Sequence, residues 1–158
     1  MEAIVSLLKN LDLTKLLPEL GAFIGTLKFW LLVMILAGPL LLLIFGLLYY
    51  YKPAKEANHS WGFRTYFTMG SVEAWQFAQK VAGICWMFLG GGLTVLMLIV
   101  GLILNAISAY VMAVGAIWCI GIELVLVIAS WIGIHFIVLK FFDKDGNRRP
   151  NVTFKKRT

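Results

Sequence analysis

Three long apolar runs constrain the fold of this 158-residue chain more than any other feature. They cover about residues 29–51, 81–104 and 111–139, and the only charged residue in them is Glu123. A helix needs about 20 apolar residues to cross a hydrocarbon core of roughly 30 Å. The composition agrees, because 61% of the residues are hydrophobic and only 14% are charged. The sequence therefore predicts an all-α membrane protein with three transmembrane helices.

The rest of the chain flanks or interrupts a membrane domain at residues 28–142. Residues 1–27 place leucines among charged residues at helical spacing, which predicts an amphipathic helix on the membrane surface. Loop 52–80 contains a Gly-Ser turn that predicts the start of a second, short interfacial helix. The uncharged turn at 105–110 is short enough to make the second and third spans an antiparallel hairpin. Residues 143–158 form a basic tail.

The basic residues predict the orientation of these spans. Four lie in or next to the loop, and seven lie between Lys140 and the C-terminus, whereas the 105–110 turn has none. Because cytoplasmic segments carry an excess of Lys and Arg, we expect a cytoplasmic loop and tail and an external N-terminus. This distribution explains the net charge of +6 without a nucleic-acid partner.

Glycines in the second span predict close helix packing. Gly90, Gly91 and Gly92 are adjacent, so they leave the backbone bare around most of one helical turn. Local unwinding of the helix around a ligand is the alternative.

Three polar residues lie in or near the third span: Asn105 just before it, and Glu123 and His135 within it. Glu123 precedes Lys140 by 17 residues, about 25 Å along a helix, which places it in the outer part of the bilayer. Since an ionised carboxylate is costly in hydrocarbon, Glu123 is expected to be protonated, paired or in contact with water. It is an ion or proton site, a contact for an extracellular peptide, or a buried group hydrogen-bonded to a residue such as Asn105. His135 lies near the cytoplasmic end, where an interfacial hydrogen-bonding role is expected and a proton relay is the alternative.

The loop carries the other candidate site. Arg64 follows Gly62 and Phe63 and precedes Thr65, a setting in which a guanidinium at headgroup level can bind a phosphate or a carboxylate. Trp75 is expected to anchor the following helix at the interface. The tail aspartates Asp143 and Asp145 are the predicted partners of Arg64, and a simple lipid-headgroup anchor is the alternative.

No catalytic pattern is present in the sequence. It has no Gly-x-Ser-x-Gly motif, no phosphate-binding glycine loop and no paired intramembrane acids. No Cys or His stands at metal-ligand spacing. We therefore expect no enzymatic activity, no metal and no cofactor.

Several short motifs between residues 48 and 149 occur in the order and spacing of the SdpI family of small bacterial membrane proteins, which this chain resembles. These motifs are Lys52-Pro53, Gly62-Phe63-Arg64-Thr65, Thr68-Met69-Gly70-Ser71, Ala74-Trp75, Ala78-Gln79 and Phe142-Asp143-Lys144-Asp145-Gly146-Asn147-Arg148. Tyrosine stands at position 63 in the family pattern, serine at 68, asparagine at 71 and 79, and threonine at 74.

This resemblance implies a protein of the bacterial cytoplasmic membrane that gives immunity to a secreted peptide toxin, sequesters a cytoplasmic regulator at the membrane, or does both. The expected partners are then the lipid bilayer, the toxin or regulator, and a second copy in a homo-oligomer. Two alternatives are a small oligomeric channel or transporter subunit and a structural accessory subunit of a larger membrane complex.

Overall fold

A computed structural model of the chain describes the backbone of residues 13–57 and 62–150, with side chains from residue 18 onward. These residues form three helices, α1 at Leu13–Tyr51, α2 at Val72–Ile107 and α3 at Ala109–Phe141. Each helix is long and apolar enough to cross a membrane. The predicted all-α architecture with three transmembrane helices is therefore confirmed.

The two predicted amphipathic helices are not supported as separate elements. Residues 13–27 continue without a break into the first span as part of α1. Residues 72–80 are the first turns of α2 and continue into the second span. Extending an existing helix adds a hydrogen bond for each residue fixed, whereas starting a new helix is costly. Residues 1–12 of the predicted N-terminal helix lie outside the described residues.

α1 and α2 touch through their backbones at Gly90. A β-carbon added at Gly90 would overlap backbone atoms of Leu42 and Leu43 in α1. Two helical turns earlier in α2, a β-carbon at Gly83 would overlap the backbone of Tyr49 and Tyr50 in the same way. The next glycines differ, because a β-carbon at Gly92 would meet nothing within 4 Å and one at Gly91 only a leucine side chain. Close approach thus depends on the first glycine of the triplet.

A single residue links α2 and α3 as the predicted antiparallel hairpin. Ser108 ends α2 and caps α3, where its side chain accepts a hydrogen bond of 3.2 Å from the amide of Val111. Lys28 of α1 donates a hydrogen bond of 2.6 Å to the carbonyl of Asn105 at the same end. The loop and the tail consequently lie at the opposite end of the bundle.

Two buried clusters fill the bundle. The one nearer the hairpin consists of Ile35, Leu93, Met97, Met112, Ala116 and Cys119. The one beneath the loop and tail consists of Tyr49, Phe63, Ala74, Ala78, Ala82, Ile134, Val138 and Phe142. Along α3, Glu123 falls between these two clusters.

Candidate functional site

The loop between α1 and α2 packs against the start of the tail. Ser71, the N-cap of α2, donates a hydrogen bond of 2.6 Å to the carbonyl of Gly146. Two residues later, Glu73 forms an ion pair of 2.6 Å with Arg148. We call residues 62–79 and 141–149 together the loop–tail unit. Its contacts place both predicted cytoplasmic segments at one end of the bundle.

The tail half of this unit is a tight turn built by Asp143. One carboxylate oxygen of Asp143 accepts hydrogen bonds from the amides of Asp145, at 3.0 Å, and Asn147, at 2.7 Å. The amide of Asp143 in turn donates to the carbonyl of Asn147 at 2.9 Å. A short polar side chain that binds the backbone two to four residues onward is a common way to close a turn. Asp143 therefore shapes the tail, which is a role that the sequence did not predict for it.

Gly146 fits this turn to the loop. Its φ of +76° lies in the left-handed region, which L-residues adopt at a cost. A β-carbon at Gly146 would also overlap the backbone of Gly70 and Ser71. The docked position of the tail thus requires glycine at this position.

Gly146→Ala should release the tail from the loop. Adopting the left-handed conformation costs an L-residue roughly 1–2 kcal/mol, so trypsin cleavage after Arg148 should accelerate about tenfold. The measurement is limited proteolysis of the purified protein, followed by mass spectrometry. Lys144→Ala, an exposed tail position, is the control and should be cleaved after Arg148 at the parental rate. Equal rates for the parent and Gly146→Ala would contradict this docking.

The loop half folds around two buried polar side chains, Gln79 and Thr68, both 0% exposed. The amide of Gln79 pairs with the backbone of Phe63, accepting from its N–H at 2.9 Å and donating to its carbonyl at 3.2 Å. The hydroxyl of Thr68 accepts from the amide of Thr65 at 2.8 Å and donates to its carbonyl at 2.9 Å. Thr68 and Gln79 replace a serine and an asparagine of the family pattern, so each substitution keeps the required functional group. Thr68 and Gln79 both lie in motifs recognised from the sequence, but nothing in the sequence predicted that their side chains would be buried.

Gly62 and Trp75 hold the loop against α2. Gly62 has a φ of +128°, and a β-carbon there would overlap the Trp75 ring and the amide of Gln79. Trp75 is 0% exposed and its indole N–H donates to the carbonyl of Ala54 at 2.9 Å. The interfacial anchor predicted for Trp75 is therefore wrong, because the ring is covered by the loop rather than facing the headgroups. Its role is to support the loop from inside.

Aromatic rings surround Phe63 and His135 beneath the loop. Phe63 is 2% exposed and lies 5.9 Å from Trp86 and 6.0 Å from Trp131, measured between ring centroids. His135 stacks on Trp131 at 6.0 Å with 7° between the ring planes. Its Nδ1 atom is buried, and no hydrogen-bond partner for it is found within the described ranges. His135 thus packs within an aromatic cluster through its ring faces, whereas the sequence predicted an interfacial hydrogen-bonding role.

The exposed part of the loop–tail unit includes charged and aromatic side chains. Arg64 is exposed, and Tyr66, two residues later, is 76% exposed. Glu73 and Arg148 form their ion pair with both side chains partly exposed. Thr65 is half-buried. The predicted pairing of Arg64 with the tail aspartates stays a prediction, and the observed Glu73–Arg148 pair was missed because its residues are 75 positions apart in the sequence.

Glu123 forms a second candidate site inside the membrane domain. It is 6% exposed, and its Oε1 atom has no hydrogen-bond partner in the part of the chain that the structure describes. Its Oε2 atom lies against Gly38 of α1, 2.7 Å from where a β-carbon would be. The suggested hydrogen bond to Asn105 is absent there, since Asn105 lies near the hairpin end of α2, whereas Glu123 lies about 21 Å along α3 from the start of that helix. Glu123 is the 15th of the 33 residues of α3, in the half of that helix nearer the hairpin, and its predicted depth in the bilayer stays a prediction.

A cavity of about 190 Å³ adjoins this carboxyl group. Besides Glu123, it is lined by Gly38, Pro39, Leu42, Leu93, Ile120, Leu124 and Val127. Glu123 supplies the only polar side chain in this lining. Among residues 13–57 and 62–150, no three His, Cys, Asp or Glu side chains come together as a metal site would require.

Comparison with known proteins gives one match. The family model described as the SdpI/YfhL protein family matches residues 55–139. This range contains most of the loop, all of α2 and most of α3, which is more than half of the chain. Searches of the curated proteins and of the solved structures found no match.

Proposed function

Because the chain belongs to the SdpI/YfhL family, we propose that it is a partner-binding protein of the bacterial cytoplasmic membrane. Its proposed role is immunity to a membrane-active peptide toxin, with sequestration of a cytoplasmic regulator as a second output. Binding, without catalysis, is sufficient for both roles. The loop–tail unit faces the cytoplasm and the N-terminus faces outward in this proposal, following the distribution of basic residues.

The observation that supports this proposal most directly is the construction of the loop–tail unit. A simple headgroup anchor needs only basic and aromatic side chains at the interface. Here, however, buried hydrogen bonds from Gln79 and Thr68 fix the backbone on which Arg64 stands. Fixing exposed residues in advance reduces the ordering cost of binding, which is useful for recognising a specific partner. The unit is therefore better suited to bind a protein than to rest on lipid.

Arg64→Ala should reduce the immunity that the protein gives. Arg64 presents forked donors on an exposed surface, and losing a charge-assisted hydrogen bond costs about 1.5–3 kcal/mol. The peptide concentration that halves survival should fall about tenfold or more. It is measured in a strain lacking the gene and complemented with the parent or variant, using the toxin encoded by the same genome. Membrane amounts of each protein are compared by immunoblot.

The control for this test is Lys80→Ala, which removes an exposed positive charge just outside the loop–tail unit and should leave protection intact. If Arg64→Ala protects as well as the parent, Arg64 has no role in immunity. If the strain without the gene is as resistant as the complemented strain, the immunity role itself is wrong.

Transport is the second candidate function, and the unpartnered carboxyl of Glu123 is the observation that favours it. Acidic residues within spans commonly mark ion or proton pathways. Three helices enclose little space, so a channel or carrier would require an oligomer. Ion or proton flux in liposomes containing the purified protein separates the two functions, because an immunity protein of this kind conducts nothing.

A further inference from the structure

The Glu123 cavity is a crevice between α1 and α3 that opens toward the lipid. Gly38 and Pro39 form its α1 side, and Leu93 of α2 closes its back. At its rim, Ile120 is 37% exposed and Leu124 is 61% exposed. Exposed apolar side chains on a membrane-spanning helix face the hydrocarbon region of the bilayer. A molecule dissolved in the bilayer can therefore reach Glu123 without passing through water.

The Oε1 atom of Glu123 has no hydrogen-bond donor among the residues that the structure describes. Burying a carboxylate in an apolar environment without a hydrogen bond or a counter-charge is costly. Its Oε1 atom is nevertheless buried without a partner among the described residues, and its Oε2 atom lies beside Gly38 in a crevice whose other lining residues offer no polar side chain. A polar group brought by a ligand would satisfy this oxygen.

The residues that line the crevice do not suit a metal ion or a water molecule as the partner of this carboxyl group. Calcium takes about six to eight oxygen ligands and magnesium about six, whereas this crevice offers one carboxylate. A buried water needs two to four polar partners, which the apolar walls do not supply. At about 190 Å³, the cavity also exceeds the roughly 150 Å³ of an apolar cavity that admits benzene. The space suits an apolar body that carries one strong hydrogen-bond donor.

We propose that this crevice binds a lipophilic amine from the bilayer, with its ammonium group paired to the Glu123 carboxylate. The charge-assisted hydrogen bonds of an ammonium group match the carboxylate. The first methylene groups of the ligand pack against Leu42, Leu93 and Val127, and the rest of its chain extends past Leu124 into the lipid. This binding is independent of the immunity role and of the loop–tail unit.

Photolabelling of the full-length protein in phosphatidylcholine nanodiscs tests this proposal. The probe is a long-chain primary alkylamine with a diazirine near the amino group, and labelled residues are identified by mass spectrometry. Saturable labelling is expected at the crevice residues, including Ile120 and Leu124. Dodecylamine should compete with the probe, whereas dodecanol, which has the same chain without the charge, should not.

Two variants separate recognition of the amine from loss of folding. Glu123→Gln keeps the size of the side chain but removes its charge, so labelling should fall at least about tenfold. Ile120→Trp should obstruct the rim and abolish labelling while Glu123 remains intact. Glu73→Gln is the matched carboxylate-to-amide control at the far end of α2 and should label like the parent. Melting temperatures of all three variants establish that they are folded.

Three results would overturn the assignment. They are parental labelling of Glu123→Gln, equal competition by dodecanol and dodecylamine, and labels spread evenly over the lipid-facing sides of α1 and α3.

Discussion

Gly90→Ala should destabilise the helical bundle by about 1–3 kcal/mol, the usual cost of inserting a methyl group into a well-packed interior. The added β-carbon would overlap the backbone of Leu42 and Leu43. Backbone atoms cannot move aside as the end of a flexible side chain can, so α1 and α2 would have to separate. Thermal unfolding of the purified protein should shift down by several degrees, at about 2–4 °C for each kcal/mol in a protein of this size.

Gly92→Ala is the matched control, two residues away in the same helix. A β-carbon there meets nothing within 4 Å, and alanine is favoured over glycine in a helix by up to about 1 kcal/mol. Its unfolding temperature should equal or exceed that of the parent. Similar losses for both variants would show that the triplet acts through helix flexibility rather than through contact with α1.

Gln79→Leu should unfold the loop and lower the stability of the whole protein. The leucine removes the Gln79 amide, which pairs with both the N–H and the carbonyl of Phe63 at a fully buried site. Leaving a buried donor or acceptor unsatisfied costs about 1–3 kcal/mol for each group. The Thr68 hydroxyl lies 3.3 Å from the Phe63 carbonyl, but its single proton also faces the nearer Thr65 carbonyl at 2.9 Å, so it replaces only part of what the Phe63 carbonyl loses. The Phe63 N–H loses its bond to Gln79 outright. Hydrogen exchange of that amide should accelerate about tenfold or more, and the unfolding temperature should fall.

Gln76→Leu makes the same chemical change one turn earlier on α2, where the side chain is exposed and donates to the carbonyl of Lys55, at 3.2 Å. Its Phe63 amide should exchange at the parental rate. If Gln79→Leu and Gln76→Leu behave alike, the buried amide of Gln79 does not organise the loop.

Gly90→Ala and Gln79→Leu affect different steps in one series of contacts that leads from the helix bundle to the exposed loop. Gly90 sets the spacing of α1 and α2, and α2 carries Gln79 and Trp75 to the underside of the loop. The tail then docks on the loop through Ser71 and Gly146. The exposed Arg64 is therefore positioned by residues that are themselves buried. Substitutions at these buried residues should impair function through the loop–tail unit even where the exposed surface is unchanged.

The sequence by itself determined the number of helices, their class and the hairpin between α2 and α3. These features follow from the length and polarity of each segment, which are local properties of the chain. It also determined that the loop and the tail lie together, since three crossings leave no other arrangement. The two amphipathic helices were predicted as separate elements because hydropathy shows where a chain leaves the membrane. Hydropathy does not show where the helix itself ends, and here both segments continue into the spans.

Only the tertiary structure decided which residues meet. Helical periodicity gives the relative direction of side chains on one helix, but the rotation of each helix against its neighbours is set by packing. That rotation turns Gly90 toward α1 and Gly92 away from it, covers Trp75 with the loop, and aims Glu123 into the crevice beside Gly38. The Glu73–Arg148 pair likewise needs the whole bundle to bring its residues together. Segment polarity fixed the three crossings of the membrane, and contacts between distant segments fixed both candidate sites.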